Sequence, residues 1–337
     1  MGRFYVVMAL TFFVLLIINV IFAIINIIYW ATNGLQSILH GMNFIQRIYY
    51  SEYAKWIILV DGLWWIGAIA FAINRKHYKT TDNFYLQYSP ILNPSICVVI
   101  PTYNEELAIK KVLMDFKSAM NVKHLIVIDN HSTDNTVAIA QQCGARVITK
   151  EKNMGYGHSC TLGLIESLKT DTNIVVLVEG DGTCNSYDIS KMIPYLDNCD
   201  MVVGTRQLQV LSEKGNQIKM VYVWGNFFLA KALQIKFFSL LHMGSVSLTD
   251  VGCLYRAIRK EALEKIISEF LDPKTHEVIP GKEFVVFFTI ESLKNNLRVV
   301  EIPITFKKRI GISKTGSDKK LQAIIDGFYF LWYILRS

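Results

Sequence analysis

The N-terminal part of the chain is apolar to a degree that limits what it can fold into. Residues 4–46 contain no Asp, Glu, Lys or Arg, and residues 4–30 are almost wholly aliphatic and aromatic. As a helix, residues 4–30 would be about 40 Å long, enough to cross a hydrocarbon core of about 30 Å with some tilt. A signal peptide has an apolar region of only about 7–15 residues before a small-residue cleavage site. The sequence therefore predicts a retained transmembrane helix at residues 4–30.

Residues 56–73 form a second predicted transmembrane helix, interrupted only by Asp61, which we interpret as a helix–helix contact or a snorkelling acid. The basic residues that flank the two spans are Arg3, Arg75, Lys76 and Lys79. Because cytoplasmic flanks carry the excess of Lys and Arg, the N-terminus and everything after residue 74 are expected in the cytoplasm. Residues 1–74 are thus interpreted as a membrane part, through which the chain would also form homo-oligomers, and residues 75–95 as a linker.

The C-terminal end is apolar again. Residues 321–335 carry one charge, Asp326, and are short for a membrane span. Residues 307–320 before them hold six Lys or Arg and one acid. This pattern is typical of a helix that lies in a membrane interface beside anionic lipid, with a third span as the alternative. Much of the net charge of +7 lies in this region, and no nucleic-acid motif accompanies it, so no nucleic-acid partner is expected.

The region between these apolar ends reads as alternating strands and helices. Strands are predicted at residues 96–100, 125–128, 145–149 and 174–178, and helices at 105–120, 136–143 and 158–168. This alternation predicts an α/β fold with a mainly parallel sheet. The six cysteines all lie in this region without a C-x-x-C pair, so reduced, buried thiols are expected.

Ligands of such sheets bind beyond the carboxyl ends of the strands, so the polar residues that follow each strand are the candidates for chemistry. They are residues 101–105, 129–136, 153–157 and 179–183. Gly155 and Gly157 lack a third glycine at the dinucleotide spacing, because position 160 is Cys, and this disfavours a NAD site. Glu179 and Asp181 alternate with glycines that allow the strand to break, so both carboxylates could converge on Mg²⁺ or Mn²⁺. An ordinary acidic loop is the alternative.

In combination and order, these motifs resemble family 2 glycosyltransferases of the GT-A fold, and most of all the branch that acts on polyprenyl phosphates, such as dolichyl-phosphate mannose or glucose synthases. The motifs are residues 98–106, 128–136, 153–157 with Gly163, 179–181, 203–206, 225–226, 248–257, 298–303 and 309–314. The resemblance covers residues 96–315, which we expect to form a cytoplasmic GT-A domain, followed by a membrane-associated segment at 316–337. The processive-synthase signature Q-x-x-R-W is absent from the sequence.

The resemblance implies roles for individual positions. The nucleotide-sugar donor would be bound by Pro101, Tyr103, Glu105, Asp129 and Gly180. The metal ion would be held by Glu179, Asp181 and Thr183, with Glu at a position where the family usually has Asp.

The acceptor phosphate would be bound by Arg206, Asn226, Arg309 and Lys314. Asp181, Arg206 and Arg309 would also be catalytic. Asp250 begins a segment like the family's D-x-x-x-G-[FY]-R, with Leu254 in place of the glycine, and is a candidate general base. A phosphate acceptor, already an anion, would not need that base.

The implied activity is that of a membrane-bound inverting hexosyltransferase that moves a sugar from a UDP- or GDP-hexose to a polyprenyl phosphate. Two alternatives stay open at this point. The acceptor could instead be a hydroxyl of a lipid-linked glycan or a glycolipid, or the chain could be an inactive scaffold on the same fold.

Overall fold

The computed structural model describes residues 14–21, scattered positions between 23 and 66, and residues 88–214, 220–237, 246–311 and 320–337. The chain divides into two compact units, Met1–Lys76 with Leu335–Ser337, and His77–Ile334. In the first unit, residues 14–21 are helical. None of the helices in the described part of the chain has both the length and the apolar character that a membrane crossing needs. The spans predicted at 4–30 and 56–73 are described only in part, and most of the linker lies outside the described residues.

The second unit is built on one sheet, whose strands in the described residues have the spatial order β3-β2-β1-β4-β6-β5-β7. The strands are β1 Ile96–Thr102, β2 Val122–Asp129, β3 Arg146–Thr149, β4 Ile174–Leu177, β5 Met201–Thr205, β6 Arg256–Arg259 and β7 Val299–Pro303. The pairs β1–β2, β1–β4, β2–β3 and β5–β7 are parallel. The predicted α/β class with a mainly parallel sheet is therefore confirmed.

β6 runs antiparallel to both of its neighbours, β4 and β5, and was not predicted. Its sequence, RAIR, is too short and too polar to stand out as a strand. It is a strand because it pairs with β4 on one side and with β5 on the other.

Helices connect the strands and cover the sheet. They are α1 Ile109–Lys117, α2 Thr136–Gln142, α3 Tyr156–Leu168, α4 Tyr187–Met192, α5 Met220–Lys236, α6 Lys260–Ile266, α7 Phe284–Lys294 and α8 Lys320–Arg336. Short 3₁₀ turns occupy Ile193–Asp197, Gln209–Leu211 and Ile267–Phe270. The helices predicted from periodicity within 105–168 are confirmed, although α1 begins four residues later than expected.

β1 also differs from its prediction, because it continues through Pro101, where we expected it to end. Pro101 still pairs with Ile128 of β2, whereas the pairing with β4 stops at Val99. A proline has no N–H to donate, and it is tolerated here because one of its neighbouring strands has already ended.

The two faces of the sheet make separate apolar layers, since successive side chains of a strand point to opposite sides. Ile96, Val98 and Ile100 of β1 join the layer under α1 and α2. Cys97 and Val99 join the layer under α3 and α7. All six cysteines are buried and free, as predicted. With both faces covered, the carboxyl ends of the strands are where polar side chains gather.

We predict that Gly163→Ala destabilises the fold, because α3 lies directly on β1 at this position. A Cβ at Gly163 would lie 2.3 Å from Cγ1 of Val99 and 3.0 Å from Cγ1 of Ile128. Such overpacking costs about 1–3 kcal/mol. The matched control is Gly225→Ala on α5, where a Cβ would meet nothing within 4 Å. Alanine at that position should leave stability unchanged or raise it by up to about 1 kcal/mol. Thermal unfolding of the full-length chain measures both, and equal midpoints for the two variants would contradict the packing described.

Candidate active site

The loops after β1 and β2 hold each other in place. The backbone N–H of Asn104 donates to Oγ of Ser132, and that of Glu105 donates to Oγ1 of Thr136, both at 2.8 Å. Asp129 ends β2, and its Oδ2 accepts the N–H of Ser132 at 3.0 Å. Its other oxygen, Oδ1, is buried and has no hydrogen-bond partner within the described part of the chain. Because a buried acceptor without a partner is costly, Oδ1 of Asp129 is suited to receive an N–H or O–H of a ligand.

The loop after β4 brings its two acidic residues together. The hydroxyl of Thr183 donates to Oδ1 of Asp181 at 2.6 Å and lies 3.3 Å from Oε2 of Glu179. Glycine is required on both sides of Asp181. Gly182 has a φ of +79°, and a Cβ at Gly180 would lie 2.8 Å from Cγ2 of Thr102. The chain therefore breaks from the strand as the glycines predict, and both carboxylates approach one hydroxyl.

The charge of Glu179 is unfavourable where it lies. Burial and the neighbouring carboxylate of Asp181 raise the pKa of Glu179 to about 7, although the positive charges of Arg206 and Arg309 oppose this shift. A cation near both carboxylates would relieve their repulsion. No group of three or more His, Cys, Asp or Glu side chains arranged to hold a metal ion occurs in the described ranges. Two carboxylates and a hydroxyl nevertheless fit Mg²⁺, which proteins usually bind through one or two carboxylates together with water and substrate phosphates.

Arg309 bridges the two acidic loops. Its Nη1 donates to Oδ2 of Asp181 at 2.9 Å, and its Nη2 donates to Oε1 of Glu105. We call residues 307–311 the Arg309 loop. Its backbone is fixed to the β4 loop, because the N–H of Lys307 donates to the carbonyl of Thr183 at 2.7 Å and that of Ile310 to the carbonyl of Asp181 at 3.0 Å. We name Glu105, Glu179, Asp181, Thr183 and Arg309 the carboxylate cluster.

A second cluster forms around Arg206, directly after β5. Nε of Arg206 donates to Oδ2 of Asp250 at 2.7 Å and Nη2 to Oδ1 at 2.8 Å, so the ion pair is bidentate. Asn226 on α5 approaches the same place, since a Cβ at Gly252 would lie 3.0 Å from Oδ1 of Asn226 and 3.1 Å from Nη2 of Arg206. We name Arg206, Asn226, Asp250 and Gly252 the Arg206 cluster. The charge of Arg206 also acts on the pKa of Glu179, so the two clusters are electrostatic neighbours.

The surroundings of Asp250 favour its anionic form. Burial alone would raise its pKa, but the charge and hydrogen bonds of Arg206, with the N–H of Gly252, hold the pKa below its usual value. Its Oδ1 accepts from Arg206 and from Gly252 N, the latter at 3.0 Å, and its Oδ2 accepts two further N–H groups of Arg206. A carboxylate with this many donors is a weak base. The geometry favours Asp250 as the residue that holds Arg206.

The site residues predicted from sequence thus fall into neighbouring groups at the carboxyl edge of the sheet. Pro101 is buried at the end of β1, Tyr103 is half-buried, and Gly180 packs against the same strand end. Arg309, which the resemblance assigned to the acceptor phosphate, lies among the carboxylates of the predicted donor and metal residues. Lys314 lies outside the described residues.

Sequence reasoning missed the part played by Glu301. Its carboxylate accepts the backbone N–H groups of Thr249 and Asp250 at 2.8 and 2.9 Å. The only sequence signal was its place in the segment 298–303, one of the motifs that carry the resemblance.

Much of the chain is similar in sequence to known proteins. Residues 97–267, just over half of the chain, match the family model described as glycosyl transferase family 2. Polyprenol monophosphomannose synthase of Mycolicibacterium smegmatis is 27% identical over 235 residues, which cover 67% of this chain and 83% of that protein. Undecaprenyl-phosphate mannosyltransferase of Micrococcus luteus is 24% identical over 254 residues, which cover 72% of this chain and 98% of that protein.

Among solved structures, glucosyl-3-phosphoglycerate synthase of Mycobacterium tuberculosis, in complex with Mn²⁺, UDP and phosphoglyceric acid, superposes with a TM-score of 0.48. It is 18% identical in sequence, and the match covers 69% of this chain and 78% of that one.

We predict that Arg309→Gln strengthens the binding of Mn²⁺ in the absence of nucleotide. The guanidinium that neutralises Asp181 and Glu105 would be gone, and a cation would no longer have to compete with it. We expect an affinity increase of about tenfold or more, which corresponds to about 1.4 kcal/mol. Titration of Mn²⁺ followed by electron paramagnetic resonance measures it.

The control for this prediction is Arg298→Gln. Arg298 makes a similar bidentate pair with Asp200, at 2.9 and 3.0 Å. The pair lies at the amino ends of β5 and β7, whereas the site lies at the carboxyl ends. Its loss should leave Mn²⁺ binding unchanged. An unchanged or weaker affinity of the Arg309→Gln variant would contradict the competition between Arg309 and the metal ion.

Proposed function

The chain belongs to glycosyl transferase family 2, and from this premise we propose that it transfers a hexose from a UDP- or GDP-hexose to a polyprenyl phosphate at the cytoplasmic face of a membrane. That it is a glycosyltransferase follows from the family itself. The observation that carries the finer proposal is a pair of half-buried arginines whose charges both act on Glu179: Arg309, which is paired with Asp181, and Arg206, which is paired with Asp250. Such a site has one guanidinium for the diphosphate of the donor and one for the phosphate of the acceptor. Relatives named for polyprenol and undecaprenyl phosphate support this acceptor.

The donor would enter the carboxylate cluster. The unpartnered Oδ1 of Asp129 suits an N–H of the base, and the carboxylate of Glu105 suits the ribose hydroxyls once Arg309 turns away. Pro101 pairs with Ile128, next to Asp129, and Tyr103 precedes Glu105 by two residues, so both would offer apolar surface to the base. Arg309 would then exchange its carboxylate partners for the diphosphate, which binds guanidinium groups strongly.

Glu179, Asp181 and Thr183 are the residues that would hold Mg²⁺ or Mn²⁺. When bound, the ion supplies electrostatic stabilisation of the charge that develops on the leaving nucleoside diphosphate. The chain itself keeps the two carboxylates close together, with Glu179 half-buried and Asp181 buried. A divalent cation would bind between them, and phosphate oxygens of the donor would complete its coordination.

The acceptor would bind at the Arg206 cluster. A polyprenyl phosphate is an anion at neutral pH and needs orientation more than deprotonation. Arg206 and Asn226 would position its oxygen for one in-line attack, in which a bond forms to the anomeric carbon while the bond to the nucleoside diphosphate breaks. One displacement inverts the anomeric configuration.

A hydroxyl acceptor, the alternative raised by the sequence, would require a general base. Asp250 is the candidate for that role, but both of its oxygens are engaged by Arg206 and its pKa is lowered. The site therefore favours an acceptor that arrives already ionised.

The membrane location rests on the predicted spans and on α8. The segment predicted to be a helix at 321–335 is one, and it carries exposed apolar side chains, among them Phe328 at 66% and Trp332 at 46% exposure. Its contacts with the enzyme domain include the hydrogen bond from Tyr329 to Glu283. Exposed aromatic residues after a basic segment suit a membrane interface.

The experiment that tests the proposal is a donor screen on membranes that contain the enzyme. UDP- and GDP-hexoses are supplied with Mg²⁺ or Mn²⁺, and the extracted lipids are identified by mass spectrometry. We expect a new lipid with the mass of a polyprenyl phosphate plus one hexose. A sugar found only on an existing glycan or glycolipid would refute the acceptor, and no transfer from any donor would refute the activity.

We predict that Asp181→Ala lowers turnover by at least about 10²-fold, because groups that stabilise developing charge in a transition state contribute on this scale. The fold should persist, since Arg309 keeps Glu105 as a partner. Turnover with the identified donor and the thermal midpoint are both measured, with Asp272→Ala, whose carboxylate accepts the N–H groups of Lys274 and Thr275, as control. Near-normal turnover of the Asp181 variant would show that this residue is not a metal ligand.

A further inference from the structure

Glu301 of β7 anchors the loop that carries Asp250. Oε2 of Glu301 lies 2.8 Å from the backbone nitrogen of Thr249 and 2.7 Å from its hydroxyl, and Oε1 lies 2.9 Å from the backbone nitrogen of Asp250. Successive backbone N–H groups that face one anion form a strong binding concavity. Each hydrogen bond described for this side chain goes to Thr249 or Asp250. The position of the Asp250 backbone is therefore fixed by Glu301.

The same network reaches the residues on both sides of Arg206. The hydroxyls of Thr205 and Thr249 lie 2.8 Å apart, and the N–H of Gln207 donates to Oγ1 of Thr205 at 3.2 Å. An ionised carboxylate only accepts hydrogen bonds, so Thr249 donates to Glu301 and accepts from Thr205. In this arrangement, the hydroxyls of Thr205 and Thr249 each donate one hydrogen bond and accept one. The backbone around Arg206 is thus linked to Glu301 through two threonines.

Sheet pairing fixes Glu301 from the other side. β7 pairs in parallel with β5, and Glu301 lies opposite Val203, three residues before Arg206. Because the two strands are parallel, their carboxyl ends lie at the same edge of the sheet. The carboxylate of Glu301 thus links strand β7 to the loop before β6 and, through Thr249 and Thr205, to the loop after β5.

We propose that Glu301 is a positioning residue: it orients Asp250 and, through Asp250, the guanidinium of Arg206 toward an anionic acceptor. The identity of that acceptor as a polyprenyl phosphate rests on the function proposed above. A carboxylate is needed at this position because glutamine would turn an N–H₂ group toward the N–H of Thr249 or Asp250. The chain would then relieve the contact by moving the Asp250 loop, and Arg206 would lose its orientation.

The test is a double-mutant cycle with Glu301→Gln and Asp250→Asn. We expect Glu301→Gln to raise the KM for polyprenyl phosphate about tenfold, the scale of a lost charge-assisted hydrogen bond. The KM for the nucleotide sugar should stay near its wild-type value. Because Glu301 acts through Asp250, the double variant should be no worse than Asp250→Asn alone.

The matched control is Glu291→Gln on α7. Glu291 is also a largely buried carboxylate, but it pairs with Lys294 at 2.9 Å, on a helix of the covering layer. Its substitution should change neither KM. Equal increases of both KM values in Glu301→Gln, or effects of Glu301→Gln and Asp250→Asn that multiply, would overturn the positioning role.

A second measurement does not depend on the acceptor. Phenylglyoxal modifies arginines, and peptide mass spectrometry reports the rate at Arg206. We expect Glu301→Gln and Asp250→Asn to accelerate modification of Arg206 by similar factors, and Glu291→Gln to leave it unchanged. An unchanged rate in Glu301→Gln would overturn the proposal. If the wild-type enzyme glycosylates a glycan hydroxyl instead, the proposed acceptor is wrong, while this rate still decides the role of Glu301.

Discussion

The structure depends on how it neutralises the carboxylates that it gathers at the carboxyl edge of its sheet. Glu105, Asp181 and Asp250 are all buried, and a buried carboxylate without a cation or hydrogen bonds is strongly unfavourable. The chain meets this requirement with arginines from distant segments, Arg309 for the first two and Arg206 for the third. These ion pairs hold the loops around the site together, and the loops extend from the carboxyl ends of the strands.

This solution also determines the chemistry that the site can perform. Arg309 is paired with carboxylates that, in our account, receive the metal ion and the ribose, so it is displaced when the donor binds and becomes available to phosphate. Arg206 stays paired with Asp250, and Glu301 keeps that pair in place. In the proposed reaction, Arg309 therefore changes partners while Arg206 keeps Asp250. A fixed guanidinium is suited to orient an acceptor, and a mobile one to follow the leaving diphosphate.

The sequence predicted the first four strands, the helices between them and the acidic loop, because those features are local. Apolar runs identify β1, β2, β3 and β4, and the two glycines around Asp181 predict the break that brings its carboxylate to Glu179. The partners of the arginines could not be predicted, since Arg309 lies 128 residues from Asp181 and 204 from Glu105. Glu301 and β6 were missed for a related reason. Each takes its role from neighbours that are remote in the chain, and β6, which has Arg at both ends, lacks the apolar run that identifies β4.

The central claim, that the fixed arginine orients a phosphate as the attacking group, is tested most directly by the linkage in the product. Purified lipid product can be analysed by ³¹P nuclear magnetic resonance after transfer to polyprenyl phosphate. Our account predicts that the phosphomonoester signal of the acceptor is replaced by a phosphodiester signal with coupling to the anomeric proton of the sugar. A product that retains the phosphomonoester signal, with the sugar attached elsewhere, would contradict it.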